Sequence, residues 1–249
     1  MLGEALPLLL LILAGLCLLR SNGESLLLIG DSVDRFILVE WCEVSHGEEI
    51  EVSRLKKASN MWAITSPHIK NWVSDTITFR DDPYFHCSEG QDTITNVHML
   101  GSAAQGPYFK DDKNLKGFEY RDSGKRITKS LELYVSAYSI PDKIVLTTVL
   151  WDALGALERH EGRSELFIPG SELFNHTIDT FRSNLIQRYD QICSHFKHKH
   201  GYPDHKRAPV VALRTGVWCQ AGGDILHHMN HVVRSLCKDR HIPLYDFDR

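Results

Sequence analysis

The chain has 249 residues, enough for one substantial α/β domain with a core of its own. Hydrophobic residues make up 43% and charged residues 24%, which excludes a disordered or fibrous chain. A formal charge of −4 leaves no electrostatic footprint for nucleic acid or for an anionic membrane surface. The first element is a Leu-rich run, Leu6–Leu19. It is short for a membrane span but fits the core of a signal peptide, with Ser21-Asn22-Gly23 as small residues for cleavage. Glu4 and the distal Arg20 are unusual for such a leader. Residues 1–23 are therefore read as a signal peptide, with a short signal anchor as the alternative, and only a retained anchor would bring a membrane into play. Secreted or lumenal residence follows. It gives meaning to the sequon Asn175-His176-Thr177, which makes Asn175 a glycosylation candidate. With Cys17 removed, five cysteines remain, and at most two disulfides can form within one chain. Cys42 with Cys87 is the pairing expected, on their shared place in the N-terminal half. No Cys-x-x-Cys is present to suggest a zinc or dithiol motif.

Leu26–Ile29 opens the folded part as a short buried strand and runs into Gly30-Asp31-Ser32. Strand-then-turn is one way to expose a nucleophilic hydroxyl at the end of a sheet, and Gly eases such a turn. The same residues also serve as a plain βα turn with a helix cap, and Asp31 and Ser32 can start a helix whose N–H groups face an oxyanion. Glu40–Asp92, with Trp41, Trp62 and Trp72, fits no regular alternation and is read as an irregular layer or helix-loop insertion. Further buried strands are expected at Thr93–Met99, Ile144–Val149, Val210–Leu213 and Ile242–Tyr245. Gly106–Lys129 reads as a loop. Ser171–Phe196 and Leu226–Arg240 carry apolar residues at helical spacing. Lys197–Arg207 is a basic loop whose His198, His200 and His205 offer metal ligands, although a solvated connector explains them as well. Strands alternating with helices imply a doubly wound α/β sheet with its crevice at the carboxyl ends of the strands.

Gly30-Asp31-Ser32-x-x-Arg35 resembles the first block of the GDSL/SGNH hydrolases, in particular their PC-esterase-like branch, where an Arg follows the Ser by three. The resemblance implies a three-layer α/β sandwich around a five-stranded, mostly parallel sheet over residues 24–249. It implies a secretory-pathway serine esterase, or an acyltransferase, acting on O-acyl (O-acetyl) esters of glycans or related small esters, with no metal or organic cofactor. Ser32 would be the nucleophile and contribute its backbone N–H to the oxyanion hole. Gly101, or else Gly106, would contribute a second. A third donor, an Asn in the family, aligns with Thr147 ahead of Leu150-Trp151-Asp152, a departure from the pattern. Arg35 and Arg214 are candidates for substrate binding, Arg214 equally for an ion pair that anchors its loop. The family takes its base from an Asp-x-x-His after the last strand. Here Asp224-Ile225-Leu226-His227 matches by letters but precedes the helix that leads to Ile242–Tyr245, and no His follows His241. Either Asp224 and His227 substitute, with His228 and His231 beside them, or the domain lacks its C-terminal end. A catalytically incomplete scaffold acting as a glycan-binding or interaction module is the alternative.

Overall fold

A computed structural model describes residues 23–47, 51–54, 62–65, 70–71, 84–99, 101–103, 123–198, 208–217 and 223–247. The leader with Cys17, and Trp72, Gly106, His200, His205, Trp218 and Cys219, lie outside the described residues, as do the side chains of Ser32, Trp62 and His198.

The strands are β1 (Ser25–Gly30), β2 (Glu51–Arg54), β3 (Trp62–Thr65), β4 (Lys70–Asn71), β5 (Tyr84–Glu89), β6 (Asp92–His98), β7 (Lys143–Leu146), β8 (Val210–Arg214) and β9 (Leu244–Tyr245). The helices are α1 (Ser32–His46), α2 (Ser123–Tyr138), α3 (Val149–Arg159), α4 (Glu172–His198) and α5 (Gly223–Arg240). One sheet has the order β4-β5-β6-β1-β7-β8-β9, and β2 with β3 forms a separate antiparallel pair. From β6 to β9 every pairing is parallel, and all five expected strands are there, β9 reduced to two residues.

Two features depart from the sequence reading. The sheet has seven strands instead of five, because β5 and β4 extend it antiparallel beyond β6. β5 comes from the stretch read as irregular. It pairs through a tight Gly90-Gln91 hairpin and buries Phe85 and Cys87 on one side and His86 on the other, where His86 Nδ1 meets Thr95 Oγ1 at 2.8 Å. A strand holding His, Cys, Ser and Glu lacks the Val/Ile signature of the central ones, and an antiparallel strand toward the margin of the sheet tolerates that. The end of the region read as loop, Ser123–Lys129, is the first part of α2. Ser123 Oγ donates to the Ser102 carbonyl, so a tertiary contact fixes the start of that helix.

The central strands are apolar throughout because both faces are covered. Leu26 and Leu28 of β1 pack with Ile37, Leu38 and Trp41 of α1 and with Phe85 and Ile94. Leu27 and Ile29 face the other way, against Ile127 and Leu131 of α2, Ala153 of α3, Phe181 and Leu185 of α4, and Met229 and Val233 of α5. This is a helix–sheet–helix arrangement with α1 on one face and α2–α5 on the other. Taken alone, the parallel strands have the spatial order 2-1-3-4-5. The connections leaving β1 and β6 part to opposite faces between β1 and β7, the place where ligands bind in open α/β sheets.

A disulfide joins Cys42, in the last turn of α1, to Cys87 of β5. The expected pairing is present, and it is consistent with a secreted or lumenal protein. Among the described residues Cys193 and Cys237 are free, and no helix is long and apolar enough to cross a membrane.

Candidate active site

Gly30, Asp31 and Ser32 sit at the carboxyl end of the central strand, beside that divergence point. Asp31 is the N-cap of α1. Its side chain accepts from the Val33 N–H at 2.8 Å, and its own N–H donates to Asp34 Oδ2 at 3.0 Å, a capping box closed by two acids. Ser32 is thus the first residue of the helix, where backbone N–H groups have no intrahelical partner and the dipole favours negative charge. Gly30 matters for room and not for a left-handed turn, since it is absent from the positive-φ residues. A Cβ there would overlap the Asp34 carboxylate and Thr147 Cγ2. Gly30→Ala should therefore destabilise the fold by about 1–3 kcal/mol, the usual cost of overpacking, in equilibrium denaturation. An unchanged midpoint would mean that the turn has room to relax.

Beneath the turn lies a buried charge network. Arg214, at the end of β8 and 1% exposed, donates from Nε to Asp34 Oδ1 at 2.9 Å and from Nη2 to Asp31 Oδ1 at 3.3 Å. Nη1 donates to the Thr215 carbonyl at 2.9 Å, and the Phe247 ring lies 5.2 Å from Cζ. Each guanidinium nitrogen thus has a partner inside the protein, so of its two candidate roles the geometry shows the anchoring ion pair. One cation serves two carboxylates. Burial pushes Asp34 up to about 7 against the pull of Arg214, with the Asp31 charge adding to the rise. The same two carboxylates raise Arg214, so it stays charged despite burial. Arg35, the other candidate for substrate, is also buried. Loss of solvent lowers it to about 10 while Asp31 opposes the shift.

The neighbouring strand β6 ends in His98, in register with Gly30. Its ring is buried and lies edge-on to Trp151. Burial, with Arg35 and Arg126 adding positive charge, holds it well below the usual imidazole range, so it stays neutral. Arg126 of α2 donates from Nε to the His98 carbonyl at 2.7 Å. A neutral imidazole at this place can donate or accept a hydrogen bond, but its protonation is opposed by two cations. Gly101 has φ +93°, and a Cβ on it would come within 2.9 Å of Asp152 Oδ1. Only glycine suits both constraints. Asp152, in the first turn of α3, accepts the Ser102 N–H on both oxygens, at 2.9 and 3.0 Å. Burial raises it to about 6, and the Ser102 N–H opposes the rise. Its work is to hold the loop that carries Gly101. Thr147 is buried against Gly30, its N–H donates to the Ile29 carbonyl at 3.0 Å, and its hydroxyl has no partner among the described residues. That hydroxyl has its donor to spare.

Asp224 and His227 begin α5 and are both exposed. His227 Nε2 lies 3.0 Å from His231 Nε2, and the Asp224 charge acts on His228, whose ring packs edge-on against Phe174. The letter match therefore resolves into a histidine pair one helical turn apart. Asn230 ties α5 to the end of β8, accepting the Gly216 N–H at 2.7 Å and donating to the Gly216 carbonyl at 2.9 Å. β8 is two strands from β1, about 10 Å across the sheet.

A cavity of about 160 Å³ opens between α3, α4 and α5. Asp152, Phe181 and Met229 line it, together with Arg159, His160 and His176. Asn175 is exposed in the first turn of α4, with His176 and Thr177 of its sequon lining the same cavity.

Sequence reasoning passed over Asp34, His98, Arg126 and Asp152. The first lies between Ser32 and Arg35, and the second lies three residues before Gly101. His98 also sits at the carboxyl end of an expected strand, the signal that would have found it. Compared with models of protein families, with curated proteins and with solved structures, the chain matches none.

Proposed function

We propose that this chain is a serine esterase of the GDSL/SGNH type, working in the secretory pathway or outside the cell on O-acyl esters of glycans or related small esters. The observation that carries the reading is the placement of Ser32. It is the first residue of α1, at the carboxyl end of the central strand and beside the divergence of the connections, after a glycine that tolerates no side chain. Ser32 Oγ attacks the ester carbonyl, the carbonyl carbon becomes tetrahedral, and the alcohol leaves with a proton. Water or a sugar hydroxyl then resolves the acyl-enzyme, giving hydrolysis or acyl transfer. Support for the oxyanion comes from the place of the Ser32 N–H at the start of α1, from the Gly101 turn and from the uncommitted Thr147 hydroxyl.

Labelling with a fluorophosphonate tests the reading. The expected result is stoichiometric labelling of the wild type and none of Ser32→Ala. Folded wild-type protein that takes no label would sink it. His227 is the base in this proposal and Asp224 its orienting acid, so His227→Ala should lose labelling while keeping the wild-type unfolding curve. Labelling left intact would assign the base elsewhere.

A second reading is a catalytically incomplete scaffold that binds glycans or a protein partner. Specific observations favour it: His227 is paired with His231, and His98, the histidine nearest in register to the turn, is flanked by two arginines that oppose its taking a proton.

A further inference from the structure

The start of α5 carries a histidine pair of which the esterase reading uses only His227. His227 and His231 are four residues apart, so the helix sets both on one face. Their Nε2 atoms stand 3.0 Å from each other, with the rings at 88°. One neutral ring can donate its Nε2–H to the other's Nε2, whereas two protonated rings would repel. A divalent transition ion can take the place of that shared proton. With metal–nitrogen bonds near 2.0–2.1 Å, two cis ligands at a right angle stand about 2.9 Å apart and two tetrahedral ligands about 3.3 Å apart. The observed separation lies between the two.

The backbone under the pair is held firmly. Met229 and Asn230 are buried between the two histidines, and Asn230 is bonded both ways to Gly216. His227 is exposed, so an ion can reach it. Asp224, one turn before, adds a negative charge that acts on the neighbouring His228. His228 itself packs against Phe174, which gives the site two histidine ligands and leaves the remaining positions to water.

We propose that His227 and His231 form a chelating site for a divalent transition metal ion of the Zn²⁺, Cu²⁺ or Ni²⁺ class, with both Nε2 atoms as ligands. Imidazole is a ligand suited to these ions, and a pair fixed by one helix meets little ordering cost on binding. The site shares His227 with the esterase reading, and an ion held on Nε2 would take that atom from its role as base; the site itself needs only the pair and its exposure.

Equilibrium dialysis of the full chain against Ni²⁺, and separately against Zn²⁺, tests it. His231→Gln should retain one equivalent fewer than the wild type, and His228→Gln the wild-type amount. Counting the difference separates this site from the histidines of residues 197–207. Thermal unfolding gives a second readout, in which saturating Ni²⁺ should raise the wild-type Tm by at least about 2 °C and His231→Gln should lose that rise. Equal retention by wild type and His231→Gln, or no retention by either, overturns the proposal. Fluorophosphonate labelling of the metal-free wild type is read separately, so that failure of the metal site and failure of the esterase reading are distinguishable.

Discussion

Arg214→Met should lower the stability of the fold by about 3–5 kcal/mol near pH 8, the usual cost of removing one partner from a buried ion pair. The methionine can fill the space, but it leaves Asp31 and Asp34 fully buried without their shared cation. The loss should depend on pH in a defined direction. Asp34 is raised in the folded protein to about 7 from an ordinary carboxylate value of 3.8. Between these values the native state holds a proton that the unfolded chain has released, so wild-type stability falls as pH rises through that window. Without Arg214 only the Asp31 N–H still opposes burial, the folded state keeps the proton to higher pH, and the deficit of the variant grows as the solution becomes more alkaline. Urea denaturation at pH 5.5 and pH 8 measures this, with the smaller deficit expected at pH 5.5. Adding Asp34→Asn to the variant should recover part of the loss, since it removes the charge that Arg214 neutralised. A deficit that is the same at both pH values and unmoved by the second substitution would show that Arg214 acts by packing alone.

Ser32→Ala should leave the unfolding curve nearly unchanged and reduce turnover of an O-acetylated glycan by about 10⁴–10⁶-fold, as when the nucleophile of a serine hydrolase is removed. The two readouts are separable because the cap of α1 is the Asp31 side chain, and a first helical residue accepts alanine without cost. Thr147→Val removes the candidate third donor and should lower kcat by about 10²–10³-fold at similar KM. A much smaller effect would leave the oxyanion to the backbone donors. If Ser32→Ala loses stability along with any activity, the hydroxyl belongs to the fold instead, and the binding scaffold becomes the better reading.

The five parallel strands were legible because burial on both faces demands short apolar runs, and 26–29, 144–146 and 210–213 carry them. The long helices α4 and α5 were legible because each buries one stripe, through Phe181, Leu185 and Ile192 in the first and Met229, Val233 and Leu236 in the second. β5 was hidden because its residue types suit an antiparallel strand toward the margin of the sheet and not a central one, and the start of α2 because its first turn is polar and glycine-containing.

What the chain order determined by itself is therefore the class of fold and the turn that presents Ser32, since periodicity and capping are local properties written within a few residues. The tertiary structure decided the partners. Arg214 lies 180 residues from Asp34 and reaches it only because β8 and β1 end at the same edge of one sheet. Arg214 is thereby closed into an ion pair, and His98 is held neutral between two arginines. His227 was legible as a candidate by its distance from Asp224, and the folded helix pairs it with His231 instead. Charge pairing and protonation depend on which groups fold into contact and how much water they lose, and neither is carried by sequence spacing.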